Sequence, residues 1–160
     1  MRKKYLICLL IVVSVIILDQ GTKAYITSTM QLYNSRVVIE NYLHLTYIMN
    51  AGAAFGFLAK APPSFRSLFF AFAAFAAIGL ILYYLAKSRD EEPLLVLGLS
   101  LILGGALGNL VDRLRFGAVV DFIDVFWKTY HWPAFNVADT AISLGALLMV
   151  TEILKHRQVN

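Results

Sequence analysis

Four apolar runs, each about as long as a bilayer is thick, decide what this chain can become: Tyr5–Tyr25, Phe65–Ala86, Leu94–Leu114 and Phe135–Leu154. Crossing about 30 Å of hydrocarbon takes about 20 helical residues at about 1.5 Å each. A backbone in lipid must satisfy its own hydrogen bonds, so the runs are predicted to be transmembrane helices. Composition agrees: 59% of the 160 residues are apolar and 15% are charged, against about 45–50% and about 25% in soluble domains. Disorder and a conventional soluble fold are both excluded on those figures. The single cysteine, Cys8, lies inside the first run, so an internal disulfide and a Cys-rich metal site are ruled out. The bulky Leu6 and Ile7 before it argue against lipid attachment there. No small-x-small cleavage site follows the first run, which is therefore read as a retained span and not a removed signal peptide.

The expected fold is a single all-α polytopic membrane domain over residues 1–160, with four transmembrane helices, a small extracytoplasmic antiparallel β-sheet and an interfacial helix. Orientation comes from charge density. Arg2, Lys3, Lys4, Lys87, Arg89, Lys155 and Arg157 crowd three short segments, whereas Lys23, Arg36, Lys60, Arg66, Arg113, Arg115 and Lys128 are spread over long ones. The positive-inside rule weighs short flanks, so both termini and the Lys87–Glu92 loop are expected in the cytoplasm. The net charge of +4 then favours anionic lipid, and nothing in it calls for nucleic acid. The β-region is assigned to residues 27–62, where Arg36–Ile39 and the alternating Tyr42–Met49 read as a short strand pair. In segment 119–132, Asp121, Asp124, Lys128 and His131 recur at helical offsets, predicting an amphipathic interfacial helix with Trp127 and Trp132 at headgroup level.

Ionisable residues inside apolar runs are the informative ones, because each costs at least a few kcal/mol at mid-depth. The uninterrupted apolar stretch Tyr5–Leu18 makes roughly 21 Å of helix, too short to cross. The helix must therefore continue through Asp19 and Lys23, which share a face at i and i+4. Asn109, Asp112 and Arg113 share a face near the end of the third span, and Asn136, Asp139 and Ser143 do so at the start of the fourth. Topology puts these groups at one depth, and the outer connections add Asp121 and the Asn50-Ala51-Gly52 turn. A single polar cluster is predicted, built from every part of the chain except the second span.

Plainer uses compete for the same residues. Asp19–Lys23 and Asp112–Arg113 could be ion pairs tying helices together, and Asp121 alone suits the polar stripe of an interfacial helix. Gly104-Gly105-Ala106-Leu107-Gly108 suits close helix packing better than a phosphate loop, since no Walker lysine follows. His44, His131 and His156 have no metal-ligand spacing, and Ser14, Ser100 and Ser143 have no base at a recognisable offset. Asp139 resists such a reading, because it lacks a basic sequence neighbour and opens an apolar helix. Two aspartates side by side at low dielectric cannot both ionise cheaply, so they titrate as a unit. One can then activate water while the other, protonated, polarises an amide carbonyl. Proton or ion transport is the rival use of such carboxylates. Below the outer cluster, however, the spans offer isolated groups such as Ser14, Ser100, Thr151 and Glu152.

Five blocks carry a resemblance: Asp19-Gln20-Gly21-Thr22-Lys23, Asn50-Ala51-Gly52-Ala53-Ala54-Phe55, Gly108-Asn109-Leu110-Val111-Asp112-Arg113, Val119-Val120-Asp121-Phe122-Ile123 and Pro133-Ala134-Phe135-Asn136-Val137-Ala138-Asp139. In order and spacing they resemble the signature of lipoprotein signal peptidase, or signal peptidase II. The Gly-x-Gly-Asp block of presenilin-like proteases is absent. The resemblance implies an aspartic endopeptidase of the bacterial inner membrane, with no metal or organic cofactor and with prolipoproteins bearing a diacylglyceryl-cysteine as substrates. Cleavage would fall on the N-terminal side of that cysteine, and the enzyme would work in membrane lipid as a monomer. By the matching positions, Asp121 and Asp139 would be the catalytic pair. Asp19, Lys23, Asn50, Gly52, Asn109, Asp112, Arg113 and Asn136 would shape and support the site. The resemblance also implies a cradle formed by the outer sheet and a movable lid formed by the segment after the third span. Asp124 is left without a role.

Overall fold

Helix α1 runs over Lys3–Thr29, carrying the first apolar run on through Asp19 and Lys23 as the length argument requires. The computed structural model describes residues 3–52, 58, 61–88 and 92–158. Arg2, Lys60, Arg89 and the Ala53-Ala54-Phe55 end of one signature block lie outside the described residues. Helices α2 (Pro63–Lys87), α3 (Pro93–Phe116) and α4 (Val137–Gln158) follow. Each of the four is long and apolar enough to cross a membrane. Proline stands in the opening turn of α2 and of α3, where its missing N–H leaves no orphan donor. Between α1 and α2 lie strands β1 (Ser35–Ile39) and β2 (Leu43–Asn50), and between α3 and α4 lie β3 (Val119–Trp127) and β4 (Tyr130–His131).

These strands form one antiparallel sheet in the order β1-β2-β3-β4. The strand pair expected before the second span is β1–β2, although α1 claims the first residues of the 27–62 region. Asn41 makes the turn between them with a left-handed φ of 66°, a conformation Asn tolerates better than most residues. The interfacial helix expected over 119–132 is not found; that segment is the β3–β4 hairpin. Gly117, left-handed at φ 69°, stops α3, and the following Val119, Val120, Ile123 and Val125 are β-branched and meet the open edge of β2. Pairing with that edge outweighs the helical spacing of the polar residues. The segment in which a lid is expected is thus this hairpin: β3 pairs with β2 along most of its length and with β4 at its end, and Val119–Phe122 are buried.

Among the helices, α3 packs against α1, α2 and α4. Glycines allow the closest approaches. A Cβ on Gly98 would come within 2.8 Å of the Gly145 carbonyl, and one on Gly104 within 2.8 Å of Val15, so the glycine run is helix packing as expected. One apolar core joins α1, α2 and α3 through Cys8, Val12, Ile81, Leu85, Val96, Leu99 and Leu103. A second, of Ile26, Met30 and Phe122, seats the sheet on the C-terminal end of α1. At the far end of the bundle Lys4 is buried and donates to the carbonyls of Leu85 (2.9 Å), Ala86 (3.3 Å) and Ser88 (2.5 Å). A residue read as a flanking charge thus also caps the last turn of α2.

Candidate active site

The site begins with a buried lysine. Lys23 on α1 lies 2.8 Å from Asp19 one turn earlier and 2.9 Å from Asp112 on α3, and donates to Asn109 Oδ1 at 3.0 Å. Asp19 and Lys23 form the expected pair. Asp112 takes Lys23 as its partner across helices instead of the adjacent Arg113, since neighbours along a helix point away from each other. Both carboxylates also hold backbone: Asp19 accepts the Ala138 N–H at 3.0 Å and Asp112 the Val120 N–H at 3.0 Å. One ties α1 to the first turn of α4, the other ties α3 to β3. Gln20, left without a role in the sequence reading, closes the network by donating to Asp112 (2.9 Å), Asp19 (3.1 Å) and the Gly108 carbonyl (3.2 Å). Its only signal in sequence is an amide beside Asp19 in an apolar helix.

Three asparagines transmit this order to Asp121 and Asp139. An ammonium can only donate, so Asn109 must turn its oxygen to Lys23, which leaves its Nδ2 to donate to Asp139 Oδ1 at 2.8 Å. Asn136 caps α4: its oxygen accepts the Asp139 N–H at 2.9 Å, leaving Nδ2 to donate to Asp121 Oδ1 at 2.8 Å. The Asn50 oxygen accepts the Gly52 N–H at 3.0 Å, and its Nδ2 donates to Asp121 Oδ2 at 2.9 Å. In each case an obligate donor holds the amide oxygen, so the amide presents N–H to a carboxyl. That explains why asparagine stands at these positions, and why Gly52, through its backbone, belongs with them.

Asp121 comes from β3 opposite Ile48, beside a register shift between Leu45 and Ile48 in which β2 carries the extra residue and so bends against β3. Asp139 comes from the first turn of α4. Both line a cleft of about 680 Å³. Burial, the largest influence, pushes the Asp121 carboxyl up from 3.8 to about 7; the Asn50 hydrogen bond pulls it down, the nearby Asp139 charge raises it, and Asn136 and Lys23 lower it. Arg113 stands at the cleft with its guanidinium 4.8 Å from the Phe70 ring centre and its charge felt by Asp139. All ten expected site residues, Asp19, Lys23, Asn50, Gly52, Asn109, Asp112, Arg113, Asp121, Asn136 and Asp139, therefore meet in one network or on one cleft wall.

Apolar walls went unforeseen. The second span, expected to stand apart, contributes Phe70, Ala73 and Ala74, opposite Ile142 and Leu144 of α4 and the Trp132–Phe135 segment. Small and apolar side chains in a membrane helix carry no mark that separates lining from lipid contact. Chemically, the cleft offers two carboxyls in different surroundings at the polar end of an apolar trough.

Comparison with known proteins agrees with this geometry. The family model described as signal peptidase (SPase) II matches residues 11–155. The lipoprotein signal peptidase of Syntrophus aciditrophicus (strain SB) is 50% identical over 158 residues, covering 99% of this chain and 98% of its own. That of Geobacter sulfurreducens is 46% identical over 158 residues, with coverages of 99% and 98%. A bacterial membrane enzyme solved by the in meso method superposes with a TM-score of 0.84 at 36% identity, over 92% of this chain and 87% of its own. Another solved in the same way gives 0.82 at 34% identity, over 92% of each chain. On a match that spans the site and all four spans, this chain belongs to the signal peptidase II family, as a multi-pass membrane protease.

Proposed function

We propose that the chain removes signal peptides from prolipoproteins, cleaving on the N-terminal side of a diacylglyceryl-cysteine with Asp121 and Asp139 as an aspartic dyad. Membership of the family supports a protease and signal-peptide removal. The observation that carries the mechanism is that carboxyls from two separate elements face one cleft, each oriented by asparagine donors.

In this reading Asp121 holds the shared proton, consistent with a carboxyl raised to about 7. Asp139 is the base; it sits in the first turn of α4, where the helix dipole favours negative charge. Water lies between them. Asp139 takes a proton from the water as its oxygen attacks the scissile carbonyl, while Asp121 donates to the carbonyl oxygen. Collapse of the tetrahedral intermediate breaks the C–N bond: the proton on Asp139 passes to the departing amine, and a gem-diol hydroxyl returns its proton to Asp121 as the carbonyl re-forms. Lys23 and Arg113 limit the excess of negative charge from Asp19, Asp112, Asp121 and Asp139. No metal or organic cofactor enters.

The apolar walls suit a signal helix and acyl chains, and the polar end of the cleft suits the peptide bond at the lipidated cysteine. We place the protein in the bacterial inner membrane as a monomer, with both termini cytoplasmic and the cleft near the outer face; the dense basic flanks support this orientation. A proton relay is disfavoured, because the core of Cys8, Val12, Leu99 and Leu103 lies between the network and the opposite end.

The test uses purified protein in detergent with a prolipoprotein carrying or lacking diacylglycerol, product masses being read by mass spectrometry. Wild type is expected to cut just before the lipidated cysteine and to spare the unlipidated substrate. Asp121→Asn and Asp139→Asn should each lose at least about a hundredfold in rate, the low end for a removed acid–base group, while still inserting. Substantial activity in either variant removes that residue from the dyad.

A further inference from the structure

The β3–β4 hairpin carries an acid–histidine pair that the dyad does not use. His131 Nδ1 lies 2.9 Å from Asp124 Oδ1 and 3.1 Å from Oδ2, and a carboxylate can only accept, so Nδ1 is the donor. The His131 ring stacks on Phe126, with centres 4.7 Å apart and planes at 11°, and Phe126 also meets His44, tilted at 52° with centres 4.5 Å apart. His44 Nδ1 stands 3.8 Å from Asp124 Oδ2. The carboxylate therefore lies between histidines of β2 and β4.

What the cluster holds matters more than what it is. Strand β4 has two residues and follows a turn in which Lys128 is left-handed at φ 57°. So short a hairpin is marginal without side-chain support. Immediately after His131 comes Trp132-Pro133-Ala134-Phe135, every residue of which lines the cleft. The far end of this segment is fixed by Phe135, which exchanges backbone hydrogen bonds with Ile123 at 2.8 and 3.1 Å. The near end is fixed by the Trp132 N–H on the Val125 carbonyl at 2.9 Å and by the His131 side chain on Asp124.

We propose that Asp124 and His131 are positioning residues that peg the Trp132–Phe135 wall of the cleft, setting its fit to the lipid-modified segment of the substrate without entering the chemistry. The proposal rests on the function above for its substrate and on the hairpin geometry for its mechanism. Asp124 is three residues from Asp121 on the same strand but serves the wall, not the dyad.

The experiment compares Asp124→Ala, His131→Ala, the double variant and His131→Asn, whose amide keeps a donor near the Nδ1 position. With lipidated prolipoprotein, each alanine variant should raise KM about three- to fivefold, as befits a partly exposed side-chain pair, with kcat within about twofold of wild type. The double variant should be no worse than the singles, and His131→Asn should restore most of the loss. In parallel, a Trp127→Phe background leaves Trp132 as the reporting tryptophan, since the chain has two. Acrylamide quenching of Trp132 should rise in His131→Ala and return in His131→Asn. Additive effects, a fall in kcat at constant KM, or unchanged quenching would each overturn the proposal. An inactive wild type would count against the proposed reaction, and the quenching series would still decide the peg.

Discussion

Asp121 is pulled both ways by its surroundings, and the balance sets a pH window. Burial raises its carboxyl to about 7, above the ordinary value of 3.8, against the pull of the Asn50 and Asn136 amides. A carboxyl raised by folding gives stability that is whole below about pH 4 and declines as pH climbs to about 7. Asp121→Asn has no such group. Its melting temperature relative to wild type should therefore climb between about pH 4 and pH 8, by the equivalent of a few kcal/mol. A pH-independent difference between the two would contradict the buried proton. Activity should fall on the alkaline side of about pH 7, where the dyad loses the proton it shares. Lys23 makes the complementary case. Lys23→Met keeps the bulk but strands Asp19 and Asp112, and should cost about 3–5 kcal/mol, read as a lowered melting temperature in detergent. These charges were legible in sequence because ionisable groups are rare at that depth. The direction of each asparagine amide was not, since it depends on which donor meets its oxygen in the fold: the Gly52 N–H for Asn50, Lys23 for Asn109 and the Asp139 N–H for Asn136.

At the scale of elements, Asn136 does two things at once: it caps α4 and it orients Asp121. Asn136→Ala should lose about 1–2 kcal/mol for the cap and lower cleavage, whereas Asn136→Ser should recover the cap alone. Melting and turnover measured on both variants separate the two roles; if Ser restored turnover fully, the amide would be irrelevant to Asp121. The spans were readable to within a few residues, because length and hydropathy are local properties. Helix α4 starts at Val137 and not at Phe135 because Phe135 bridges to Ile123, a partner twelve residues away that no local pattern reports. Segment 119–132 shows the same limit more sharply. Asp121, Asp124, Lys128 and His131 satisfy a helical spacing, yet the edge of β2 recruits the chain as a strand.

For the whole molecule, α3 is the plate on which α1 and α4 are mounted, and its glycines set the distances. A Cβ at Gly108 would come within 2.6 Å of Asp19 Oδ2, whereas one at Gly21 would meet nothing within 4 Å. Gly108→Ala is therefore expected to push α1 away from α3, lowering both the melting temperature and cleavage. Gly21→Ala should gain about 0.5–1 kcal/mol from helix propensity. Equal effects of the two, measured side by side by thermal unfolding and turnover, would show that α3 tolerates more space than its packing indicates. The gathering of the polar residues followed from topology alone, because three helix ends and the loops between them share one side of the bilayer. The apolar trough did not, because lining and lipid-facing side chains look alike.

The hydrogen bond from the Ala138 amide to Asp19 also orders events in time. It joins α1 to α4, which is synthesised after it, and Asp139 follows the Ala138 amide directly in the chain. Until α4 has left the ribosome and docked, Asp139 is absent, Asp121 lacks Asn136, and Asp19 has no amide to cap. If Asp121 and Asp139 form the proposed dyad, a nascent chain whose α4 has not docked is expected to be catalytically silent. On the proposed dyad, cleavage would wait until α4 has docked against α1 and α3.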